Sequence, residues 1–342
     1  MKNILYEIII LFALFTESIA AQNTQIKGFE NVDASVTSDT TTRNHFALGQ
    51  FDLFITSQIT DKVSFLSETV FLYYNNGFKI GIERAIINYH FKDYFNLSVG
   101  KLYSPLGYWN NAFHHGLVLQ PTITRPKIVS EGTSGGGLPL EDLGAQLNGD
   151  GITKINFGYN LMIGNGIAST PTNDFNESKS MCLNLHAEPI ENLKFYISGY
   201  ADNIPKGTTT IQGVKTTQNI NLQILNASIA YRDGKLPIEL IGEFYNLRTM
   251  EPDSNNSASS NGYFLYFSYK IRKINLIPYV YYDRLLLDTN DPLFFKNNIA
   301  SIAFGLRYVI HPLSAIKLEY KYSETGLIKY QNRIELQFAI GF

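Results

Sequence analysis

The sequence predicts an all-β chain closed into a transmembrane antiparallel barrel of about sixteen strands, and three observations carry that reading. Apolar and polar residues alternate with period two along most of the chain, short and long connections take turns, and a polar average hides a heavy aromatic load. The 342 residues are 44% hydrophobic, with 22 Tyr and 23 Phe against 1 Trp. A mean hydropathy of -0.08 is too polar for a bundle of membrane helices. Barrel spans mask their hydrophobicity by alternating it, and girdles at both interfaces use Tyr and Phe.

The first element is a leader. Lys2 precedes the apolar run Ile8–Phe15, and Ser18-Ile19-Ala20 or Ile19-Ala20-Ala21 offers small residues for cleavage. Residues 1–21 therefore read as a secretory signal peptide, although Glu7 interrupts the apolar approach, and 22–342 as the barrel. The apolar run is far short of the roughly 20 residues that span lipid as a helix. The single cysteine, Cys182, excludes an intramolecular disulfide and paired cysteine ligands for zinc.

Strands follow in order. "KGFENVDASV" (Lys27–Val36) serves as a weak first strand before the loop "TSDTTTRN". "GQFDLFITSQI", "VSFLSETVFLYY", "KIGIERAIINYHF" and "FNLSVGKLY" are the second to fifth, joined by "TDK", "NNG" and "KDY". After a long segment come "DLGAQLN", "TKINFGYNLMIGN", "SMCLNLHAE", "LKFYISGYAD", "NINLQILNASIAY", "LPIELIGEFYNL", "GYFLYFSYKI", "INLIPYVYYDRL", "NIASIAFGLRYVI", "AIKLEYKYS" and "RIELQFAIGF". In the last of these, Ile334, Leu336, Phe338 and Ile340 share one face and Arg333, Glu335, Gln337 and Ala339 the other. Short links such as "RK", "RDGK", "PIE" and the turn around "NGDG" alternate with long polar connections at Gly166–Lys179, Asn203–Gln218, Thr249–Asn261 and Leu286–Asn297. Tight turns at one rim and long loops at the other are the layout of a bacterial outer-membrane barrel. Sixteen strands put both ends of the barrel on the periplasmic side and enclose a water-filled lumen; fourteen is the other count. Closure is required, because each unpaired backbone group in lipid costs several kcal/mol.

One connection, 104–141, breaks the pattern by its length, between the fifth and sixth strands. It carries Leu106, Tyr108, Trp109, Phe113, Leu117, Val118, Leu119 and Ile123, which are apolar enough to need burial. The run "ERAIINYHFKDYFNLSVGKLYSPLGYWNNAFHHG" (Glu83–Gly116) resembles the N-terminal half of porins of Gram-negative bacteria, including those grouped loosely with the phosphate-selective porins. Weaker barrel likeness extends over the rest of the chain. The resemblance implies a passive channel narrowed by a loop folded into the lumen, here Tyr103 to Pro139. It also implies that Phe342 is the terminal signal read by the barrel-assembly machinery. No phosphate site carries over, since there is no ladder of arginines.

Other chemistry is weaker. His114 and His115 are adjacent, so their imidazoles diverge, and no further ligands stand at a metal-binding spacing. No G-x-S-x-G motif supports a barrel lipase. "EGTSGGGLPL" lacks the lysine and the strand-to-helix context of a phosphate loop and reads as a flexible return. A net charge of -2, with no basic run carrying interleaved aromatics, argues against nucleic-acid binding. No enzyme activity, metal or cofactor is expected.

The expected pore lining comprises Tyr108, Trp109, His114, His115 and Arg125 in the loop, with Glu68, Glu83, Arg84, Lys101, Lys194, Glu239, Glu243, Arg307, Lys317, Glu319, Lys321, Arg333 and Glu335 on the wall. Neither sign dominates, so strong ion selectivity is not expected. Glu83 and Arg84 pose a conflict, because adjacent strand residues face opposite sides and an arginine in mid-membrane lipid costs roughly 2 to 4 kcal/mol. A β-bulge or a site near the rim resolves it. The reading is an outer-membrane porin for small hydrophilic solutes, with lipid as its surroundings and a homotrimer as a possible assembly. A transporter for hydrophobic compounds is the alternative, disfavoured by too short a segment before Lys27 for a plug. A structural or adhesive barrel with a blocked lumen is the third reading.

Overall fold

The computed structural model describes residues 23–342 apart from 39–43, 75–76, 115, 117–118, 131–135, 168–173, 175–176, 210–214, 233, 255, 294–297 and 326–329. The leader reading of residues 1–21 lies outside the described residues. So does His115.

Sixteen strands form one closed barrel, each paired antiparallel with its neighbours in sequence. They are β1 (Asn23–Thr37), β2 (His45–Gln58), β3 (Val63–Tyr74), β4 (Gly77–Lys92), β5 (Phe95–Tyr103), β6 (Glu141–Gly149), β7 (Gly158–Gly164), β8 (Ser180–Ile190), β9 (Leu193–Ile204), β10 (Ile220–Tyr231), β11 (Ile238–Glu251), β12 (Asn256–Tyr269), β13 (Leu276–Leu286), β14 (Ile299–His311), β15 (Ser314–Thr325) and β16 (Gln331–Gly341). The fold class and the strand count of sixteen are as the alternation predicts.

Closure joins β16 to β1, in register from Phe29↔Gly341 to Thr37↔Arg333. Gly28 and Phe342 exchange two backbone hydrogen bonds of 2.9 Å, so the pairing runs to the last residue. A side chain at Gly28 would collide with the Phe342 ring, which covers this point of the wall and lies 6.2 Å from the Phe51 ring.

The burial pattern is inverted relative to a water-soluble sheet. On β16, Glu335, Gln337 and Ala339 are buried while Ile334, Leu336, Phe338 and Ile340 are exposed; on β15, Lys317 and Glu319 are buried beside exposed Ile316 and Leu318. Apolar residues face out and polar residues face in, which suits a wall between lipid and a polar interior. Exposed outward aromatics include Phe91, Phe95, Phe195, Tyr269 and Tyr308 near the short turns, and Tyr73 and Tyr320 towards the opposite rim.

Two expected boundaries move. The polar stretch Thr249–Asn261, read as a long loop, is mostly hairpin, with β11 and β12 paired out to Glu251↔Asn256. Backbone pairing continues beyond the apolar band, where alternation no longer marks a strand. Conversely, β7 begins at Gly158 rather than near Thr153: Ile152 and Phe157 close a turn by a 3.0 Å backbone hydrogen bond, with Asn156 left-handed at φ 48.

The segment between β5 and β6 folds inward. It contains one short helix, α1 (Tyr108–Phe113), and a 3-10 turn at Lys127–Val129. Leu106, Trp109, Phe113, Ile128, Val129, Leu138 and Leu140 are buried in one apolar cluster with inward residues of β7 to β14, among them Met162, Tyr200, Leu222, Tyr245, Phe264 and Tyr281. The loop therefore fills one side of the barrel.

Candidate constriction and its cavity

Both ends of the inward segment are tied together where it leaves and rejoins the wall. Ser104 N–H donates to the Leu140 carbonyl at 3.0 Å, and the Asn110 amide donates to the carbonyls of Ser104 (2.9 Å) and Leu140 (2.8 Å). The Asn110 Oδ1 in turn meets His114 Nδ1 at 2.6 Å, so His114 is a structural partner of this knot, its ring tilted against that of Tyr103 with centroids 4.0 Å apart.

Inward carboxylates of alternate strands then hold the loop's backbone. Glu243 on β11 accepts from Trp109 N–H at 2.6 Å and Tyr108 N–H at 3.0 Å, and also from Ser228 and Tyr245 hydroxyls. The first N–H groups of a helix have no partner within it, and α1 has no side-chain cap of its own, so a carboxylate from the wall takes that role. Gly107 precedes the helix at φ 78, and a Cβ there would lie 2.4 Å from Glu243 Oε2 and 2.1 Å from the Tyr245 hydroxyl. Asp283 on β13 accepts from Lys127 N–H at 2.9 Å. Burial, then the Lys321 ammonium, hold the Lys127 ammonium below the ordinary lysine range, and Asp283 opposes them. Glu319 on β15 accepts from Ile123 N–H at 3.0 Å, Thr124 N–H at 3.2 Å and the Tyr279 hydroxyl at 2.8 Å, and Lys317 donates to the Thr122 carbonyl at 3.3 Å.

The expected pore lining thus divides. Glu243, Lys317 and Glu319 point inward but lie under the loop, and Trp109 is packed edge-on against Phe264 at 5.4 Å. None of these four meets the open lumen, because the loop needs acceptors for its backbone and an apolar seat for its helix. Glu239 and Arg307 form a buried pair at 3.0 Å, with Arg232 at 3.4 Å from Glu239. Arg333 and Glu335 pair within β16. Lys321 stands 5.4 Å from the Tyr281 ring centroid, and Arg125 donates to the His114 carbonyl. Lys194 is half-buried near the β8–β9 turn. Lys101 shares its register position with outward-facing Ala85 and joins Glu141 at 2.7 Å and Glu83 at 3.8 Å, so it braces the wall where β5 ends.

The Glu83–Arg84 conflict is resolved by a β-bulge. Pairing passes from Glu68↔Arg84 to Thr69↔Ile82, so Glu83 is the extra residue and Arg84 turns inward. Its Nε donates to Glu68 at 2.5 Å, and its guanidinium lies 4.4 Å from the Tyr103 ring centroid and 5.6 Å from that of Phe54.

Among the described residues, a cavity of about 250 Å³ lies between α1 and the β1–β5 wall. Gln25, Lys27 and Phe29 of β1, Phe54 and Thr56 of β2, Arg84 and Tyr103 line one side, and Asn111, Ala112, His114 and Leu119 of the loop the other. Of these, Arg84 and His114 were expected from the sequence. Lys27 was not, since it opens a weak strand, but its place one period before Phe29 on the inward face was a usable signal.

A sixteen-stranded closed barrel with its long inward loop after the fifth strand decides the comparison. The fold is that of a porin. No family model matches the chain, and no curated protein matches it. Among solved structures, it is similar to a loop L8 deletion mutant of OmpT, an outer-membrane protein of Vibrio cholerae, with TM-score 0.65 and 12% identity over 94% of this chain and 100% of that one. It is similar to an anion-selective porin from Comamonas acidovorans, with TM-score 0.65 and 9% identity over 94% and 100% of the two chains. It is similar also to Salmonella typhi OmpF solved with daunomycin, with TM-score 0.64 and 9% identity over 93% and 97%. Within this porin-like barrel the cavity lies between the inward loop and the β1–β5 wall.

Proposed function

We propose that the protein is an outer-membrane porin through which small hydrophilic solutes diffuse passively, and that the cavity beside α1 is its constriction. The observation that carries this reading is the loop's uneven seating: most of its ties go to the β7–β15 wall, and a gap lined by charged, polar and aromatic side chains lies on the β1–β5 side. The porin fold of the three neighbours supports it. The leader at residues 1–21 supports export, and Phe342 at the closing seam suits a role in barrel assembly. The finer kinship with phosphate-selective porins rests on the run Glu83–Gly116 alone.

A homotrimer is part of the proposal. Among the described residues, β4 pairs with β5 only from Ala85 to Lys92, so Gly77–Gly81 runs past β5 as an edge beside exposed Phe78 and Ile80, while the Ile82 carbonyl accepts from Lys101 Nζ at 2.8 Å. A second copy is a suitable cover for that edge. OmpT of Vibrio cholerae has been solved in a trimer form.

Swelling of liposomes containing the refolded protein tests the channel reading. Swelling rates that fall steeply with sugar size are expected; correctly folded protein that admits no sugar contradicts it.

A further inference from the structure

The carboxylates and cations of the lumen wall face different things. Glu243, Asp283 and Glu319 lie under the loop as acceptors for its backbone. Glu68 is fully buried beneath Arg84 and Tyr103 and accepts from both. Asp52, also fully buried, accepts from Gln50 and from the loop's Gly116 N–H at 3.4 Å. Two cations are presented to the cavity instead. Lys27 is exposed there, and among the described residues no carboxylate pairs with it. Arg84 gives Nε to Glu68, and among the described residues its two Nη groups have no hydrogen-bond partner, while its side chain stays 23% exposed.

We propose that this cavity is a binding site for small organic anions with a flat aromatic body, of the size of an aryl monocarboxylate. The inference rests on the channel reading above and adds the class of solute. Lys27 and the Arg84 Nη groups hold the carboxylate, and Phe29, Phe54 and Tyr103 receive the ring. Arginine is suited to this role because its planar fork matches a carboxylate, and here Glu68 and the two rings already fix its orientation. Phe29 and Phe54 pack edge-to-face at 5.3 Å, which leaves aromatic surface at the cavity wall rather than a disordered apolar lining. The volume of about 250 Å³ lies below the usual range for drug-sized ligands and admits one ring with its carboxylate. A small anion such as acetate satisfies the cations but not the rings. A cation such as benzylammonium satisfies the rings but meets Lys27 and Arg84.

The test is single-channel recording of the purified, refolded protein in planar bilayers, with benzoate, acetate and benzylammonium as probes added to potassium chloride. Benzoate is expected to interrupt the current at concentrations about tenfold below acetate, one stacked ring being worth roughly that factor. Benzylammonium is expected to interrupt it least. The K27Q variant is expected to lose the preference for benzoate over benzylammonium, and F54L the preference for benzoate over acetate. Removing Arg84 alone leaves Glu68 buried without its cation, so the double variant E68Q/R84Q replaces it and is expected to behave as K27Q does. Equal interruption by all three probes in an open channel, or variants indistinguishable from the parent, overturns the site and leaves the channel reading intact. If the folded barrel passes no current, the channel reading fails, and saturation-transfer NMR with benzoate on the folded protein and K27Q then decides the site. Transfer abolished by K27Q supports it, and no transfer overturns it.

Discussion

Glu243 shows what a charged residue on an inward face can do besides lining a pore. It is buried, it accepts two backbone N–H groups at the start of α1, and no cation neutralises it among its hydrogen-bond partners. Hydrogen bonds to a charged acceptor contribute about 1.5 to 3 kcal/mol each, and loss of the acceptor leaves buried donors without a partner. Glu243→Ala is therefore expected to destabilise the folded barrel by about 3 kcal/mol in urea titrations and to make the open-channel current noisier as α1 loosens. Glu243→Gln, which keeps an acceptor oxygen, is expected to cost less. Gly262 on β12 offers a converse test, because a Cβ there would lie 2.7 Å from Ile128 Cγ1 of the loop's 3-10 turn. Gly262→Val overfills that seat and is expected to cost about 1 to 3 kcal/mol and to change the conductance; a variant with parental stability and conductance contradicts the seating of the loop. The sequence gives the face of Glu243 through period two. It does not give the cover, because whether a loop or water lies over an inward residue depends on contacts across 134 positions of chain.

At the scale of the element, alternation located most strands and one irregularity within them. The adjacent Glu83 and Arg84 could not both occupy the face of one regular strand, and the bulge at Glu83 is how β4 accommodates them. Deleting Glu83 leaves Arg84 opposite Glu68 and brings Ile82 next to it in regular register, so both side chains keep their faces. That deletion is expected to assemble, with heat-modifiable mobility on gels unchanged. Inserting one alanine between Leu66 and Ser67 shifts one side of β3 by a residue and is expected to prevent assembly. Boundaries were legible where lipid imposes alternation. They were lost where it does not, as in the polar hairpin end Glu251↔Asn256, whose Ser and Asn residues pair through their backbones without an apolar face to announce it. The β6–β7 turn failed in the opposite sense, since Ile155 and Phe157 mimic alternation in a turn closed by its own hydrogen bond.

Over the whole molecule, an outward apolar wall and a lumen filled on one side combine into a single account. The apolar residues of the long loop and the carboxylates of β11, β13 and β15 fix most of it to one wall, and a gap lies on the β1–β5 side. The closed barrel was legible in the chain because a two-solvent wall writes its period into every strand. The asymmetry of the lumen was not, because it follows from which inward residues the loop happens to cover. The most direct test of the account is the single-channel conductance of the purified, refolded protein in a planar bilayer. Stable ohmic steps are expected, with a reversal potential across a salt gradient that favours anions, since Lys27 and Arg84 are the charges at the gap. Folded barrels that insert and pass no current would contradict the open channel on which the account depends.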